Sequence, residues 1–178
     1  PLATEHIVVQ SQGMRRYIHQ FWARHLGIAA NLQFRLPAGL AWQLMREAKP
    51  DVPEMSPFAS EIMQWRLLQL FQSPEFMRDD TFACVRGVLD DYLKKGGLSR
   101  YHLAGQIADV FDQYLVYRPD WIEAWSAGRR VAALDTHYQD EQSWQAVLWR
   151  ELDRRSGDAL HRVQLWHTLM DALAEGRI

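Results

Sequence analysis

The chain has 178 residues, a length that can bury one sizeable hydrophobic core or two small ones. Its apolar fraction of 48% is ordinary for a globular domain, and its formal net charge of −2 argues against a strongly basic nucleic-acid binder without excluding a local basic groove. The single cysteine, Cys84, excludes an internal disulfide framework and favours a reducing, cytoplasmic compartment. No run approaches the roughly 18 apolar residues of a membrane span, so we expect no membrane partner.

Two short strands are predicted near the start of the chain, which begins with Pro1 rather than with methionine. Because an apolar run, residues 7–9, follows at once, we expect a fragment of a larger protein. Residues 6–10 are predicted to form a buried strand, Ser11 to cap a helix and Gly27 to end it. Alternating apolar residues predict a second strand over residues 31–36. So short a strand–helix–strand segment implies a small parallel pair.

From Pro37 onward the pattern is helical. Ser56-Pro57 and Ser73-Pro74 predict helix starts, because proline is favoured in the first turn. Residues 94–97, Lys-Lys-Gly-Gly, predict a helix end, and Ser99 is the predicted cap of the next helix. The remaining predicted elements are helices at 37–48 and 99–117, a short helix or turn at 119–125, a loop at 128–141, and helices near 142–155 and 159–175. The predicted fold class is mainly α with a two-stranded parallel β element, divided near residue 50.

The first candidate site is the junction between the first strand and the first helix. A helix N-terminus presents backbone N–H groups and a partial positive charge, which suit a phosphate. Gln10 and Gln12 are able to pair with base edges, and Arg16 lies one turn beyond Gln12 on the same side of the helix. The lysine and the glycine spacing of a P-loop are missing. The alternative is a capped helix with a solvated polar face.

The second candidate is the end of the helix predicted at 99–117. One stripe carries Ile107, Phe111, Tyr114 and Arg118, whereas two acids and an amide lie opposite: Asp109, Asp112 and Gln113. Carboxylates accept hydrogen bonds from base amino groups but repel phosphates, so they would contact bases rather than the DNA backbone. The backbone would need arginines, for which Arg118 and Arg162 are the candidates. The alternative is an ordinary solvated face.

Two further hypotheses concern the pair Asp109 and Asp112 and the single residue Trp42. Asp109 and Asp112 would form a nuclease metal site only if other carboxylates or a lysine converged on them, and the spacing of no known nuclease motif is present. The histidines form no HExxH or Cys/His ligand set. Trp42 is either a core residue or an exposed ring that stacks on a base for about 1–3 kcal/mol. Leu36 would add apolar contact beside it.

The residues resemble the RecC family, the gamma subunits of exodeoxyribonuclease V, over nearly the whole chain. The most specific block runs from Phe111-Asp112-Gln113-Tyr114 to Pro119-Asp120-Trp121. The other matching segments are Val9-Gln10-Ser11, Gly13-Met14, Gly27-Ile28-Ala29-Ala30-Asn31, Leu36-Pro37-Ala38, Trp144-Gln145-Ala146, Leu148-Trp149 and His161-Arg162.

The resemblance implies a non-catalytic subunit of a RecBCD-type helicase–nuclease, which processes double-strand breaks for homologous recombination. It implies a superfamily 1 helicase-like domain that has lost its ATP-binding motif. Residues 1–50 would be the strand–helix–strand–helix part of domain 1A, and residues 51–178 a helical, 1B-like and connecting part. Partners would be RecB-like and RecD-like subunits and single-stranded DNA, whose 3′-ended strand is scanned for a Chi sequence. ATP and Mg²⁺ would belong to the partner subunits, with no cofactor in this chain.

The resemblance also implies a set of positions that line the DNA tunnel. They are Gln10, Gln12, Arg16, Leu36, Trp42, Asp109, Val110, Asp112, Gln113, Arg118 and Arg162. Three depart from the enteric pattern: Gln12 replaces a threonine, Arg16 a glutamine and Val110 a leucine. An arginine at position 16 would shift a contact toward phosphate or guanine, so the exact Chi octamer stays open. The competing hypotheses are a pure scaffold for partner subunits and an enzyme with its own metal-dependent nuclease site.

Overall fold

The computed structural model describes residues 4–135 and 138–177. Within them the chain is mainly helical, with one parallel strand pair near the N-terminus, so the predicted fold class is confirmed. In chain order the elements are β1 Glu5–Val8, α1 Gln12–Leu26, β2 Leu32–Arg35, α2 Pro37–Ala48, α3 Ser60–Gln72, α4 Pro74–Arg78, a 3-10 turn Asp80–Phe82, α5 Ala83–Lys94, α6 Gly97–Tyr117, α7 Pro119–Ser126, α8 Ala132–Asp135, α9 Gln139–Arg155 and α10 Arg162–Ala174.

The described residues divide into two compact units. The strand unit comprises the residues up to Asp51 together with those from Thr168 onward, and the helical unit comprises Val52–His167. The first six residues of α10 thus belong to the helical unit. The assignment of the two parts to helicase-like domains 1A and 1B stays a prediction. None of the helices in the described part of the chain has the length and apolarity that a membrane crossing requires.

In the strand unit, β1 and β2 pair in parallel, with Glu5 opposite Leu32 and Val8 opposite Arg35. Both strands are shorter than predicted, because the chain bends at residue 10 before α1 and Leu36 is the N-cap of α2. The predicted burial is wrong for β1, whose residues are exposed except for the half-buried Ile7, and right for Val9, which follows the strand and is buried. Each strand has a single hydrogen-bonded neighbour in the described sheet; β1 is mostly exposed, whereas β2 is mostly half-buried.

The ends of α1 follow the sequence prediction closely. The Ser11 hydroxyl accepts a hydrogen bond from Met14 N–H over 3.1 Å, which satisfies one of the donors that a helix N-terminus leaves open. At the other end Gly27 has a φ of 78°, a left-handed conformation that glycine adopts without strain.

The helical unit is held by a continuous core to which α3, α5, α6 and α9 contribute. Met63 and Leu67 from α3, Phe111 from α6, and Leu148 and Trp149 from α9 are among its fully buried side chains. Each of these side chains stabilises the fold by about 1.5–3 kcal/mol relative to an exposed position. The core therefore fixes one face of α6 and leaves the other for contacts outside the unit.

The contact between α3 and α6 is close at Gly105. A Cβ placed there would lie 2.8 Å from Gln64 Nε2, which donates a hydrogen bond to the Tyr101 carbonyl over 3.2 Å. Glycine at position 105 therefore leaves room for the Gln64 amide between the two helices. This amide bonds to backbone as most buried side-chain amides do, and it fixes the register of α6 against α3.

Two predicted helix starts are wrong. Ser56-Pro57 does not begin a helix, because the Ser56 hydroxyl accepts a bond from Phe58 N–H in a turn and α3 begins only at Ser60. Ser99 is not a cap, because α6 already begins at Gly97, after Gly96 with a φ of 103°. By contrast, the Ser73 hydroxyl caps α4 as predicted, over 3.1 Å from Phe76 N–H.

The predicted loop at residues 128–141 is wrong in part. It contains α8, and α9 already begins at Gln139, whereas residues 136–137 lie outside the described residues. The buried Gln142 explains the order: its carbonyl oxygen accepts from Val131 N–H, and its Nε2 donates to Asp135 Oδ1 over 2.9 Å. One side chain of α9 thereby holds the segment that leads into α8, a long-range effect that local composition does not reveal.

Candidate nucleic-acid interface

The carboxyl edge of the strand pair carries the first predicted site residues. Strand pairing extends one step beyond Val8, since Val9 N–H donates to the Arg35 carbonyl over 2.9 Å. Gln10 follows β1 and Leu36 follows β2 at this edge, and both side chains are exposed. Open parallel sheets bind their ligands outside the carboxyl ends of the strands. The register therefore places Gln10 and Leu36 at an edge suited to a ligand.

The first two turns of α1 add polar and basic groups to the strand unit. Gln12 and Arg16 share one helix face, as their spacing predicts, and line a surface groove of about 410 Å³ with Arg15, His19 and Gln20. No acidic residue lies in the first turn, so the partial positive charge of the α1 N-terminus is not compensated there. This end of α1 is therefore suited to a phosphate oxygen.

Leu36 and Trp42 flank the start of α2. Leu36 occupies the N-cap position with an extended backbone, and its side chain is 40% exposed. Trp42 lies within α2 and is half-buried. Its ring is thus neither fully enclosed in the core nor freely exposed, and both roles that the sequence left open stay compatible with it.

In the helical unit, four residues of α6 form one stripe: Asp109, Asp112, Gln113 and Val116. Their spacing of i, i+3, i+4 and i+7 places them on one face of the helix. Asp109, Gln113 and Val116 are exposed and Asp112 is half-buried, whereas the other face of α6 belongs to the core. We call Asp109, Asp112, Gln113 and Val116 the α6 stripe. Val110 lies beside the stripe and is 37% exposed.

A hydroxyl from α3 holds one end of the α6 stripe. Ser60, the first residue of α3, donates a hydrogen bond to Asp109 Oδ1 over 2.5 Å. Within the described part of the chain, Asp109 Oδ2 makes no hydrogen bond. The carboxylate is thus oriented by one oxygen and accessible by the other. Sequence reasoning missed Ser60, because 49 residues separate it from Asp109 and no local pattern links them.

Arg118, at the end of α6, is engaged within the chain. Its Nε and Nη2 donate to the two Asp120 oxygens over 3.1 and 2.8 Å, and its guanidinium carbon lies 3.8 Å from the Trp121 ring centroid. The hydrogen bonds to Asp120 raise the pKa of Arg118, and the same bonds lower the pKa of Asp120. The structure therefore pairs Arg118 with Asp120 rather than with Asp109 or Asp112.

Arg162, the first residue of α10, lies at the other end of the α6 stripe. It borders a cavity of about 280 Å³ that is lined by Leu115, Val116, Pro119, Arg162, Val163 and Trp166. Val116 belongs to both the stripe and this lining, so the two features are continuous. Sequence reasoning missed Trp166, although its position one turn after Arg162 was the available signal.

A reciprocal pair of hydrogen bonds fixes the start of α10. Gln164 N–H donates to His161 Nδ1 over 3.4 Å, and His161 N–H donates to Gln164 Oε1 over 3.0 Å. This is the geometry of a capping box, with histidine in place of the usual serine or threonine. His161 is buried against Phe58 and Trp149, and burial lowers its pKa. The position of Arg162 is therefore set by a packed and capped turn.

The acidic residues of the described chain do not form a metal centre. Among residues 4–135 and 138–177, no group of three or more His, Cys, Asp or Glu side chains converges so as to hold an ion. The predicted alternative of a nuclease site at Asp109 and Asp112 thus has no supporting ligand in this part of the chain. Cys84 is exposed on α5.

The described chain is a mainly helical protein with a small parallel strand pair, and it carries exposed polar residues at the α1 N-terminus and along α6. The N-terminal domain of RecC is the family whose model matches the chain, over residues 1–177. The chain therefore belongs to the RecC family, as the resemblance in its sequence predicted.

Individual relatives agree with the family match. The chain is 35% identical to the RecBCD enzyme subunit RecC of Escherichia coli (strain K12), an alignment that covers 97% of the chain and 15% of the relative. It is also 35% identical to that of Haemophilus influenzae, over 98% of the chain and 17% of the relative. Against that of Mycolicibacterium smegmatis it is 28% identical over 87% of the chain and 13% of the relative. The chain spans about a sixth of the length of these relatives.

Proposed function

We propose that this chain is the non-catalytic, DNA-contacting N-terminal part of a RecBCD-type helicase–nuclease. In this proposal it acts in the repair of double-strand breaks by homologous recombination, and it scans the 3′-ended single strand for a Chi-like sequence. RecB-like and RecD-like subunits are its partners and carry the ATP and Mg²⁺ chemistry. The helicase-like descent of the strand unit belongs to the same proposal, because its parallel strands present a ligand edge without a P-loop.

The observation that carries the proposal is the α6 stripe. Two carboxylates and one amide lie on the outer face of a helix whose inner face is packed into the core. Carboxylates accept hydrogen bonds from the amino groups of bases, and amides pair with base edges in two directions. Because acids repel phosphates, such a stripe favours contact with bases over contact with the backbone. It is a suitable surface for sensing sequence in an unpaired strand.

The remaining candidate residues divide between backbone and base contacts. Arg16 at the groove on α1 and Arg162 at the end of the stripe would contact phosphates. Gln10, Gln12, Leu36 and Trp42 in the strand unit, and Val110 in the helical unit, would supply amide or apolar surface. Arg118 keeps a smaller role, since two of its five N–H donors, on Nε and Nη2, are occupied by Asp120. The recognised octamer is left open by the residues at positions 12, 16 and 110.

Asp112→Asn in the full-length subunit, assembled with its partners, tests the proposal. The amide retains the size of the carboxylate but replaces one acceptor with a donor, so discrimination between a Chi-like sequence and its single-base variants should fall. A single well-placed base contact contributes about 1–3 kcal/mol of discrimination. Unwinding rates and complex assembly should stay at wild-type levels. The readout is the response of strand cleavage to a panel of 3′-strand sequences.

A matched control is Asp91→Asn, an exposed acid on α5 of the same unit. It should leave the sequence response unchanged. If Asp112→Asn also leaves it unchanged in an assembled complex, the stripe does not contact bases and the proposal fails. If Asp112→Asn prevents assembly instead, the helical unit acts as a scaffold.

The second candidate function, a scaffold that contacts partner subunits, is favoured by the apolar face of α1. Met14, Tyr17 and Phe21 are exposed, and the Tyr17 and Phe21 ring centroids are 6.2 Å apart. Contiguous exposed apolar side chains mark protein contacts. A Tyr17→Ser/Phe21→Ser variant should therefore weaken assembly in pull-down experiments while the sequence response of the residual complex persists. Loss of the sequence response in a fully assembled complex would count against the scaffold function.

A further inference from the structure

We propose that Trp166 and Arg162 bind one unstacked nucleotide of the scanned strand, its base on the Trp166 indole and its phosphate at the Arg162 guanidinium. This inference rests on the proposed function and extends it to Trp166, which was not among the predicted site residues. The site is the cavity at the end of the α6 stripe, and the ligand class is a single-stranded DNA nucleotide of any base.

The aromatic surface comes from Trp166. Its side chain is 49% exposed although it belongs to the lining of a cavity of about 280 Å³. The other lining residues are mostly apolar: Leu115, Val116, Pro119 and Val163. A flat ring beside an apolar floor is the arrangement on which bases stack in single-strand binding, without preference for sequence.

The charge comes from Arg162 and from the helix that it begins. Arg162 is half-buried. Its guanidinium makes no hydrogen bond and no ion pair with any residue that the structure describes. The first turn of α10 contains no acidic residue, so the partial positive charge of the helix N-terminus adds to that of the guanidinium. The local charge is complementary to a phosphate.

The position of the cavity favours a nucleotide, rather than a protein side chain, as its ligand. Val116 lies both in the α6 stripe and in the cavity lining, so a strand that passes along Asp109, Asp112 and Gln113 reaches Trp166 next. The stripe by itself repels phosphates, and a strand held there needs a cation at one end. Arg162 supplies that cation, whereas Arg118 is held by Asp120.

The test uses the full-length subunit in its complex and a 3′-tailed duplex. Trp166→Leu, which keeps apolar bulk but removes the ring, should weaken binding of the tail by about 5- to 150-fold, as expected for one lost stack. Trp166→Phe should restore most of the affinity. Arg162→Gln should lower the slope of log affinity against log salt by about 0.7, the value for one phosphate of a single strand. Trp65→Leu, at an exposed tryptophan of α3 in the same unit, is the matched control and should change neither quantity.

A second measurement needs no substitution. Photo-crosslinking of the wild-type complex to tails that carry 5-iododeoxyuridine at successive positions should modify Trp166 at one position of the tail. Crosslinks that appear elsewhere in the subunit but never at Trp166 would overturn the inference. A Trp166→Leu complex that assembles and binds the tail as tightly as wild type would also overturn the inference. A Trp166→Leu variant that fails only in assembly would overturn it as well, because the ligand of the cavity would then be a protein.

The failure of this inference can be told from the failure of the proposed function. If Asp112→Asn abolishes the sequence response but Trp166→Leu and Arg162→Gln change nothing, the strand is sensed without this cavity. If neither Asp112 nor the cavity residues matter in an assembled complex, the proposed function fails together with the inference.

Discussion

The end of α6 and the start of α10 carry the same pair of residue types, an arginine and a tryptophan, in opposite states. At the end of α6, Arg118 is bound by both oxygens of Asp120 and lies over the Trp121 ring. At the start of α10, Arg162 borders a cavity with Trp166, and its guanidinium has no hydrogen-bonded or ionic partner among the described residues. Residue type alone therefore does not distinguish an arginine held in an internal ion pair from an arginine that is available to a ligand.

The difference arises from which groups the fold supplies nearby. Asp120 is two residues from Arg118 and lies in the first turn of α7, where a carboxylate is favoured by the helix dipole. The first turn of α10 offers no acid. A bidentate arginine–carboxylate pair leaves few donors for an external ligand, whereas an unpaired arginine at a helix N-terminus retains all of them. Only the second arrangement is prepared for an external anion.

A chain of aromatic rings connects the two regions. Ring centroids are 5.1 Å apart for Trp121 and Tyr114, 6.3 Å for Tyr114 and Phe111, 5.6 Å for Phe111 and Trp149, and 5.7 Å for Trp149 and His161. Three of these pairs are edge-to-face and the Tyr114–Phe111 pair is tilted, and such ring contacts add to the stability that burial provides. The two arginines therefore depend on one packed core, although their local environments differ.

The largest effect is expected from breaking that chain at its centre. Phe111→Ala leaves a cavity between Tyr114 and Trp149 and should lower the free energy of unfolding by about 3–5 kcal/mol, measured by urea denaturation of this chain. Val110→Ala, the adjacent exposed position, should change it by less than about 0.5 kcal/mol. A loss below about 1 kcal/mol for Phe111→Ala would show that the two helix ends are supported separately.

The second effect is a pH dependence that distinguishes the two regions. Burial lowers the pKa of His161 below its ordinary value of 6.5, because the charged imidazole is poorly solvated between Phe58 and Trp149. The unfolded chain then binds a proton at a higher pH than the folded chain. The stability that the neutral His161 contributes is complete above pH 6.5 and is lost as the pH falls below that value. The free energy of unfolding then falls by at most about 1.4 kcal/mol per pH unit.

Unfolding of this chain between pH 7 and pH 5 measures that dependence. His161→Asn keeps an acceptor at the cap of α10 but should remove the slope, whereas His102→Gln, at an exposed position of α6, should keep it. The Arg118–Asp120 pair should not contribute in this window, since the pKa of Asp120 is lowered and its contribution is lost only as the pH falls below 3.8. An unchanged slope in His161→Asn would contradict the assignment.

Much of the fold follows from local signals in the sequence. The Ser11 and Ser73 caps, the Gly27 stop and the parallel strand pair depend on one or two side chains or on short patterns, and each was predicted. Helix starts at Ser56 and Ser99 were wrong, because turn geometry at Phe58 and the conformation of Gly96 decide where the helices begin. Local patterns identify residues that are able to begin a helix, but they do not determine which of these residues does so.

The candidate site was less accessible to the sequence than the fold. The face shared by Asp109, Asp112 and Gln113 follows from helical spacing, and the structure has it. The hydroxyl that Ser60 supplies to Asp109 depends on the packing of α6 against α3. The engagement of Arg118 by Asp120 depends on the geometry of the turn between α6 and α7. These contacts changed the expected roles of individual residues while the stripe stayed in place.

The smallest effect should come from the Arg118 clamp itself, and it is the sharpest test of the contrast with Arg162. Both members of the pair are largely exposed, so a double-mutant cycle of Arg118→Ala and Asp120→Ala should give a coupling energy of about 0.2–1 kcal/mol. Because Asp120 already occupies two of the donors of Arg118, Arg118→Ala should weaken binding of a 3′ tail less than Arg162→Ala in the assembled complex. Asp120→Ala frees the guanidinium without removing it, and binding of the tail should then strengthen. Equal losses from the two arginine variants, with no gain in Asp120→Ala, would mean that the ion pair does not withhold Arg118 from DNA and that the two helix ends act alike.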